Sequence, residues 1–66
     1  MLLDTEKIRT LRQKAGLSQE DAAKKAQLGT RQRWHGVESG ENTNIKLDTL
    51  ERIAKALGVK AKDLLK

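Results

Sequence analysis

Two short helical patterns joined by a tight turn, near the middle of the chain, constrain the fold more than any other feature of the sequence. Ser18 stands three positions before Asp21, so a hydroxyl and a carboxylate can each satisfy a free backbone N–H group at a helix start. Gly29 breaks the first pattern, and Thr30 is suited to cap a second helix. The sequence therefore predicts one helix over about residues 19–26 and another over about residues 31–38.

The second of these predicted helices has an apolar face. Trp34 and Val37 are three positions apart and therefore point the same way. We interpret Trp34 as a core side chain that fills the space left by two small residues of the preceding helix, Ala22 and Ala26, because protein cores pack without voids. The alternative is that the indole stacks on a nucleic-acid base, but its spacing to Val37 favours the core.

The other face of the same helix is polar and basic, with Arg31, Gln32, Arg33 and His35 left for solvent or for a partner. An arginine can donate two hydrogen bonds to N7 and O6 of guanine, and a glutamine can pair with N6 and N7 of adenine. We therefore predict that Arg31 and Gln32 contact DNA bases. Arg33 and His35 are further candidates, and their alternatives are a solvated surface for Arg33 and a position near phosphate for His35.

Charge and composition restrict the class of protein. The chain has 66 residues with 14 lysines and arginines against 9 acidic residues, and its net charge of +5 indicates an anionic partner. It has no cysteine, no proline and one aromatic residue, so disulfide and thiolate chemistry are excluded and an all-α fold is favoured. No apolar run approaches the roughly 20 residues of a membrane span, so we expect neither a membrane segment nor a secretory signal.

The side chains that catalysis or metal binding would need are scarce. His35 is the only histidine, and cysteine and tyrosine are absent. The acidic residues outside the central helices fall on predicted polar faces. We therefore expect no enzymatic activity, no metal ion, no cofactor and no small-molecule ligand.

Apolar spacing and glycine caps predict the remaining helices. Apolar residues at i, i+3 and i+7 from Ile8 predict a first helix that begins near Asp4 or Thr5 and ends at Gly16. After a polar loop, a longer apolar stripe predicts a fourth helix that Gly58 closes, and a short fifth helix follows. The stripe consists of Leu47, Leu50, Ile53, Ala54 and Leu57, and the fifth helix contains Ala61, Leu64 and Leu65.

Three segments together resemble a known family. They are Ile8-Arg9-x-Leu11-Arg12-x-x-x-Gly16-Leu17-Ser18-Gln19-Glu20-Asp21-x-Ala23, Trp34-x-x-Val37-Glu38-x-Gly40, and Leu47-Asp48-Thr49-Leu50-x-x-Ile53-Ala54-x-Ala56-Leu57-Gly58-Val59. In this order, over roughly residues 6–65, they are similar to the Cro and lambda-repressor type of helix-turn-helix domain, the XRE family. The resemblance implies a compact all-α bundle of five helices, with one domain over residues 1–66 and a helix-turn-helix unit over about residues 18–38.

The resemblance also implies a mode of DNA binding. The third helix enters the major groove, usually in a dimer that binds two half-sites about one DNA turn apart. In the family, a glutamine at the position of Gln19 holds the sugar-phosphate backbone and braces the first residue of the third helix, here Arg31. Arg12 and Glu38 match a partly buried ion pair of relatives, which has a structural role. The other candidate contacts to the DNA backbone are Ser18, Thr30, Ser39, Asn42, Thr43, Asn44 and Lys46.

The sequence departs from the family at two positions of the helix-turn-helix unit. Gln27 stands where the turn glycine is expected and Gly29 comes two residues later, so either the second helix runs on or the turn is wider. Gly36 stands where relatives often carry a long polar side chain that faces the DNA. This glycine either permits close approach of another backbone or is simply tolerated, at a cost of about 0.5–1 kcal/mol relative to alanine.

The sequence as a whole predicts a cytoplasmic, nucleoid-associated regulator of transcription, of prokaryotic or phage type, that binds double-stranded DNA. We expect a repressor that binds an inverted-repeat operator as a homodimer. Leu64 and Leu65, or the loop before the fourth helix, are the candidate dimer surfaces. The alternative is an antitoxin or another protein-interaction module.

Overall fold

Four α-helices and a C-terminal 3-10 helix make up the computed structural model, which describes residues 3–41 and 45–66. Within these residues there is no β-strand, and a single antiparallel bridge joins Leu3 to Leu65 near the two ends of the chain. The helices are α1 (Thr5–Lys14), α2 (Gln19–Lys25), α3 (Arg31–Ser39) and α4 (Leu47–Leu57), and the 3-10 helix is Ala61–Leu64.

Polar side chains start the first three helices where the sequence predicts them. The carboxylate of Asp4 and the hydroxyls of Ser18 and Thr30 each accept a hydrogen bond from the backbone N–H three residues later, at 3.2, 3.0 and 3.3 Å respectively. Each bond satisfies one of the backbone donors that a helix leaves free at its first turn. Helix α4 has no such bond, because the residue before it is Lys46.

Helices α1, α2 and α4 all end in the same type of turn. In each, a residue with positive φ and the residue after it donate backbone hydrogen bonds to carbonyl groups of the last helical turn, the arrangement known as a Schellman motif. The positive-φ residue is Gly16 in α1 and Gly58 in α4, as the sequence predicts. In α2 it is Gln27, with φ 59°, the one non-glycine residue of the described chain in this conformation.

The connection between α2 and α3 is a wide turn. Helix α2 ends at Lys25 and α3 begins at Arg31, so five residues (26–30) separate them, whereas three or four are usual in a helix-turn-helix. Both Gln27 and Gly29 take positive φ values in this turn, 59° and 90° respectively. Of the two alternatives that the sequence left open, the structure therefore shows the wider turn.

Trp34 lies inside the core, as the sequence predicts. Its side chain is fully buried in the same cluster as Ala22 and Ala26, which are also fully buried. The two alanines leave room for the indole, whose Nε1–H donates a hydrogen bond to Glu38 Oε1 at 3.2 Å. The other fully buried large side chains are Ile8, Leu50, Ile53 and Leu64.

Two predictions about the C-terminal third need correction. Leu47 is 59% exposed and does not belong to the buried stripe of α4, because it lies at the edge of that stripe in the first helical turn. Ala56, which we did not place on the stripe, is buried.

The five-helix count is not confirmed, since the last element is a 3-10 helix of four residues. Leu64 is fully buried and its carbonyl accepts a hydrogen bond from the Asp4 N–H at 2.8 Å. Leu64 therefore holds the two ends of the chain together and cannot contribute to the candidate dimer surface, whereas Leu65, the other residue of that candidate, is partly exposed.

Candidate nucleic-acid interface

Helix α3 has one buried side and one open side. Trp34, Val37 and Glu38 are buried, whereas the polar side chains predicted to contact bases are exposed. At 3.6 residues per turn, Gln32 lies opposite the buried side, and Arg31 and Arg33 fall on the two flanks. The exposed polar residues of α3 are Arg31, Gln32, Arg33, His35 and Ser39.

Glu38 anchors α3 to the rest of the bundle. Its carboxylate is 4% exposed and accepts hydrogen bonds from Arg12 Nε at 2.7 Å, Gln19 Nε2 at 2.8 Å and Trp34 Nε1 at 3.2 Å. Arg12 also donates from Nη1 to the carbonyl of Leu17 at 2.8 Å. The ion pair between Arg12 and Glu38, which the resemblance implies, is therefore present and belongs to a larger network that joins α1, α2 and α3.

The network keeps the Glu38 carboxylate ionised. Burial by itself raises the pKa of Glu38, because it removes the charged form from water. The hydrogen bonds from Arg12, Gln19 and Trp34, together with the positive charge of Arg12, outweigh burial and bring this pKa below its ordinary value. Glu38 is thus a charged group that its hydrogen-bond donors stabilise. Because two of these donors belong to α1 and α2, the carboxylate fixes α3 to both helices.

Gln19 is placed differently from what the family resemblance implies. Its side-chain amide donates to Glu38 Oε2, near the C-terminal end of α3. Among the side-chain hydrogen bonds of the described residues, none joins Gln19 to Arg31. Gln19 therefore braces α3 through Glu38, while its expected contact with a DNA phosphate stays a prediction.

Arg33 lies beside a groove that sequence reasoning did not find. The groove has a volume of about 370 Å³ and runs between the flank of α3 and the first turns of α4. Arg33, Lys46 and Arg52 line it together. Arg52 was missed because nothing in the spacing of the α4 residues indicates that its exposed face lies next to the turn before α3.

Comparison with known families agrees with this geometry. A family model described as a helix-turn-helix domain matches residues 5–65, from the start of α1 to the residue after the 3-10 helix. The chain belongs to the helix-turn-helix domain family. Membership of this family indicates a DNA-binding regulator. A search of curated proteins found no match to the chain, and a search of solved structures found none either.

The predicted backbone contacts of this helix-turn-helix domain lie around α2 and α3. Ser18 and Thr30 use their hydroxyl oxygens to cap helices, and the hydroxyl hydrogen of each can still donate to a phosphate. The Ser39 hydroxyl donates to the carbonyl of Gly36 at 3.4 Å, at the end of α3. Lys46 is exposed at the start of α4. Asn42, Thr43 and Asn44, the other predicted contacts, lie outside the described residues.

Neither a metal-ligand cluster nor a membrane-spanning helix occurs in the described part of the helix-turn-helix domain. In residues 3–41 and 45–66, no group of three or more histidine, cysteine, aspartate or glutamate side chains is arranged to hold a metal ion. None of the helices in this part of the chain has the length and apolar character needed to cross a bilayer. Every buried side-chain nitrogen and oxygen atom there has a hydrogen-bond partner.

Proposed function

We propose that this protein is a sequence-specific regulator of transcription that binds double-stranded DNA, of the Cro and lambda-repressor type. The observation that carries the proposal is that α3 has one buried side and one exposed side. The buried side contains Trp34 and Glu38, and Arg31 and Gln32 are exposed. In a helix-turn-helix domain, the helix that enters the major groove directs its exposed side chains to the base edges, so its other side is free to pack against the protein. We further propose that the chain acts as a single domain without enzymatic activity.

The first turns of α3 supply the side chains that would read bases. Arg31 can donate two hydrogen bonds to guanine, and Gln32 can exchange two with adenine, each pairing giving roughly 1–3 kcal/mol of discrimination. His35 lies one turn further along the same exposed face. The Glu38 network supports this role because it fixes the rotation of α3 and therefore the direction of these side chains.

Contacts with the DNA backbone would come from the elements around α3. The net charge of +5 favours association with a polyanion. Ser18 and Gln19 lie at the start of α2, Thr30 caps α3, and Lys46 lies at the start of α4. Such contacts set the position of the protein on the duplex and carry no direct sequence information.

The proposed form of the regulator is a homodimeric, cytoplasmic repressor on an inverted repeat. A repressor needs only to occupy its operator, which a small DNA-binding domain can do by itself. With Leu64 buried, the partly exposed Leu65 and the loop before α4 remain as candidate dimer surfaces. The exposed side chain of Leu47, which follows that loop directly, supports the second of these.

The experiment that tests DNA binding is a titration of labelled random-sequence duplex with the whole protein at 50 mM and 200 mM salt. A protein that neutralises several phosphates releases counterions, so its affinity should fall by about two to four orders of magnitude over this range. Undetectable binding at 50 mM salt would contradict the proposal. That result would favour the alternative, a protein-interaction module such as an antitoxin.

A further inference from the structure

The start of α3 is fixed less directly than its end. Helix α3 packs mainly against α2 and α1, and it has few contacts with α4. Its last turn carries Glu38, which accepts hydrogen bonds from both α1 and α2. Its first turn carries Arg31 and Gln32, which follow directly on the wide turn of residues 26–30. The contacts that hold this turn therefore affect the direction of both side chains.

One peptide group of the turn, between Gln27 and Leu28, is hydrogen-bonded at both of its polar ends. Its N–H belongs to Leu28 and donates to the carbonyl of Ala23 in α2 at 2.8 Å. Its C=O belongs to Gln27 and accepts a hydrogen bond from Nη1 of Arg52 in α4 at 3.5 Å. Because one bond leads to α2 and the other to α4, together they fix the plane of this peptide group shortly before Thr30, the N-cap of α3.

Arg52 is itself oriented by its own helix. Its Nη2 donates to Thr49 Oγ1, one turn earlier in α4, at 3.4 Å. A guanidinium is a planar fork of donors, so the bond to Thr49 directs Nη1 towards the turn. The helix below is firmly packed, since Leu50 and Ile53 are 2% and 0% exposed. Arg52 thus connects a fixed helix to the turn before α3.

No other side chain holds the turn in this way. Within residues 3–41 and 45–66, the bond from Arg52 is the only side-chain hydrogen bond that joins the turn to α1 or α4. Leu28, which is 5% exposed, holds the turn to the core, but apolar packing is non-directional and does not orient a carbonyl group. The ion pairs of the same residues do not involve Arg52, so no carboxylate draws its guanidinium away.

We propose that Arg52 is a positioning residue for the DNA-reading face of α3. It bonds the Gln27 carbonyl, sets the direction in which the chain enters α3, and thereby directs Arg31 and Gln32. This proposal rests on the proposed function, since it assumes that α3 reads base edges. Side chains that form a binding site must be held to within about 0.5 Å by the residues behind them. Loss of the bond should therefore reduce discrimination between bases.

Direct contact with a DNA phosphate is the competing role for an exposed arginine, and the two roles differ in their response to Arg52→Lys. A lysine keeps the charge and would still attract a phosphate. Its compact ammonium does not reproduce the planar fork that joins the Gln27 carbonyl to Thr49. A phosphate contact also contributes to the salt dependence of binding, whereas a positioning residue does not.

The bond to the turn is tested first in the free protein, by NMR measurement of backbone hydrogen exchange. Exchange of the Leu28 amide, relative to that of Ile53, should be about threefold to tenfold faster in Arg52→Ala, as expected for loss of one hydrogen bond. Thr49→Val should give a smaller increase, because Arg52 loses its orientation and keeps its donors. Lys55→Ala is the matched control and should match the wild type. Lys55 is an exposed cation one turn further along α4 that makes no side-chain hydrogen bond within the described residues.

The effect on DNA is measured with two duplexes and the whole protein. One is the duplex that the wild type selects from a random pool, and the other is altered at the base pair whose preference Arg31→Ala loses. The ratio of the two affinities should fall about threefold to tenfold in both Arg52→Ala and Arg52→Lys. The slope of log affinity against log salt should not change, and Lys55→Ala should keep the wild-type ratio. The intrinsic fluorescence of Trp34 reports whether each variant is folded.

Three results would overturn the positioning role while leaving the proposed function intact. In the first, the Leu28 amide exchanges equally fast in Arg52→Ala and Lys55→Ala, so the bond does not hold the turn. In the second, exchange is faster in Arg52→Ala but the affinity ratio is unchanged, so the turn does not direct Arg31. In the third, Arg52→Lys keeps the wild-type ratio and Arg52→Ala lowers the salt slope by about 1, which assigns Arg52 to a phosphate. Absence of DNA binding by the wild type is a different result, since it would reject the proposed function and the positioning role with it, while hydrogen exchange would still report whether Arg52 holds the turn.

Discussion

Glu38 shows how one residue fixes α3 to the rest of the bundle. A buried carboxylate is costly unless its charge is paired and its oxygen atoms accept hydrogen bonds. Here the donors come from α1 (Arg12), from α2 (Gln19) and from α3 itself (Trp34). Loss of Glu38 would therefore release three elements at once and leave the Arg12 guanidinium without its partner.

Acid should destabilise the protein through Glu38. The pKa of this carboxyl is lower in the folded chain than its ordinary value of 4.5, so its stabilisation is present above about pH 4.5 and is lost as the pH falls through the folded-state pKa. Glu38→Gln should lower the free energy of unfolding by about 3 kcal/mol at pH 7, because it breaks a buried ion pair. Urea unfolding between pH 3 and pH 7 measures both effects. If the wild type and Glu38→Gln differ by the same amount at pH 3 and pH 7, the network does not act as described.

Two leucines of α4 provide a matched test of burial. Leu50 is 2% exposed and Leu47 is 59% exposed. Leu50→Ala should lower the free energy of unfolding by about 3 kcal/mol, because it removes apolar contacts and leaves a cavity, whereas Leu47→Ala should change it by less than about 0.5 kcal/mol. Urea unfolding of dilute protein checks both variants. Similar losses for the two would show that Leu47 is covered in solution.

At the scale of the element, the backbone conformation of Gln27 strains the turn before α3, and replacement by glycine should relieve this strain. Gln27 takes the left-handed conformation that glycine occupies in the equivalent turns after α1 and α4. A side chain in this conformation costs about 1–2 kcal/mol, partly offset by the greater freedom of glycine in the unfolded chain. Gln27→Gly should therefore raise the free energy of unfolding by about 0.5–1 kcal/mol. Gln27→Ala is the control, because it keeps a Cβ atom at the same φ, and an equal gain from it would refute the strain.

The helices could be predicted from the sequence where the signals were local. Capping side chains such as Ser18 and Thr30 act on the next turn of their own chain, and Gly16 and Gly58 end helices through their own backbone conformation. The burial of Leu47 was predicted wrongly, and the geometry of the turn at Gln27 was left open. Both depend on contacts with other parts of the chain. Burial of Leu47 depends on which element covers the edge of α4, and the conformation of Gln27 depends on where α3 must start. Neither can be read from spacing along the chain.

At the scale of the whole molecule, the candidate interface could likewise be predicted only where it depends on spacing along the chain. The open face of α3 follows from its helical period, so the exposure of Arg31 and Gln32 could be predicted. The groove of Arg33, Lys46 and Arg52 brings together three segments that are distant in the sequence, and only the packed structure reveals it. The contact of Gln19 with Glu38, which links α2 to the end of α3, was hidden for the same reason.

The most direct test of the account is selection of duplexes from a random pool by the wild type, Arg31→Ala and Lys46→Ala. The wild type should enrich an inverted repeat with half-sites about one DNA turn apart. Arg31→Ala should lose the preference at one base pair of each half-site, and Lys46→Ala should enrich the same sequence with uniformly lower affinity. If the wild type enriches no sequence, or if Arg31→Ala and Lys46→Ala behave alike, α3 does not read DNA through its exposed face.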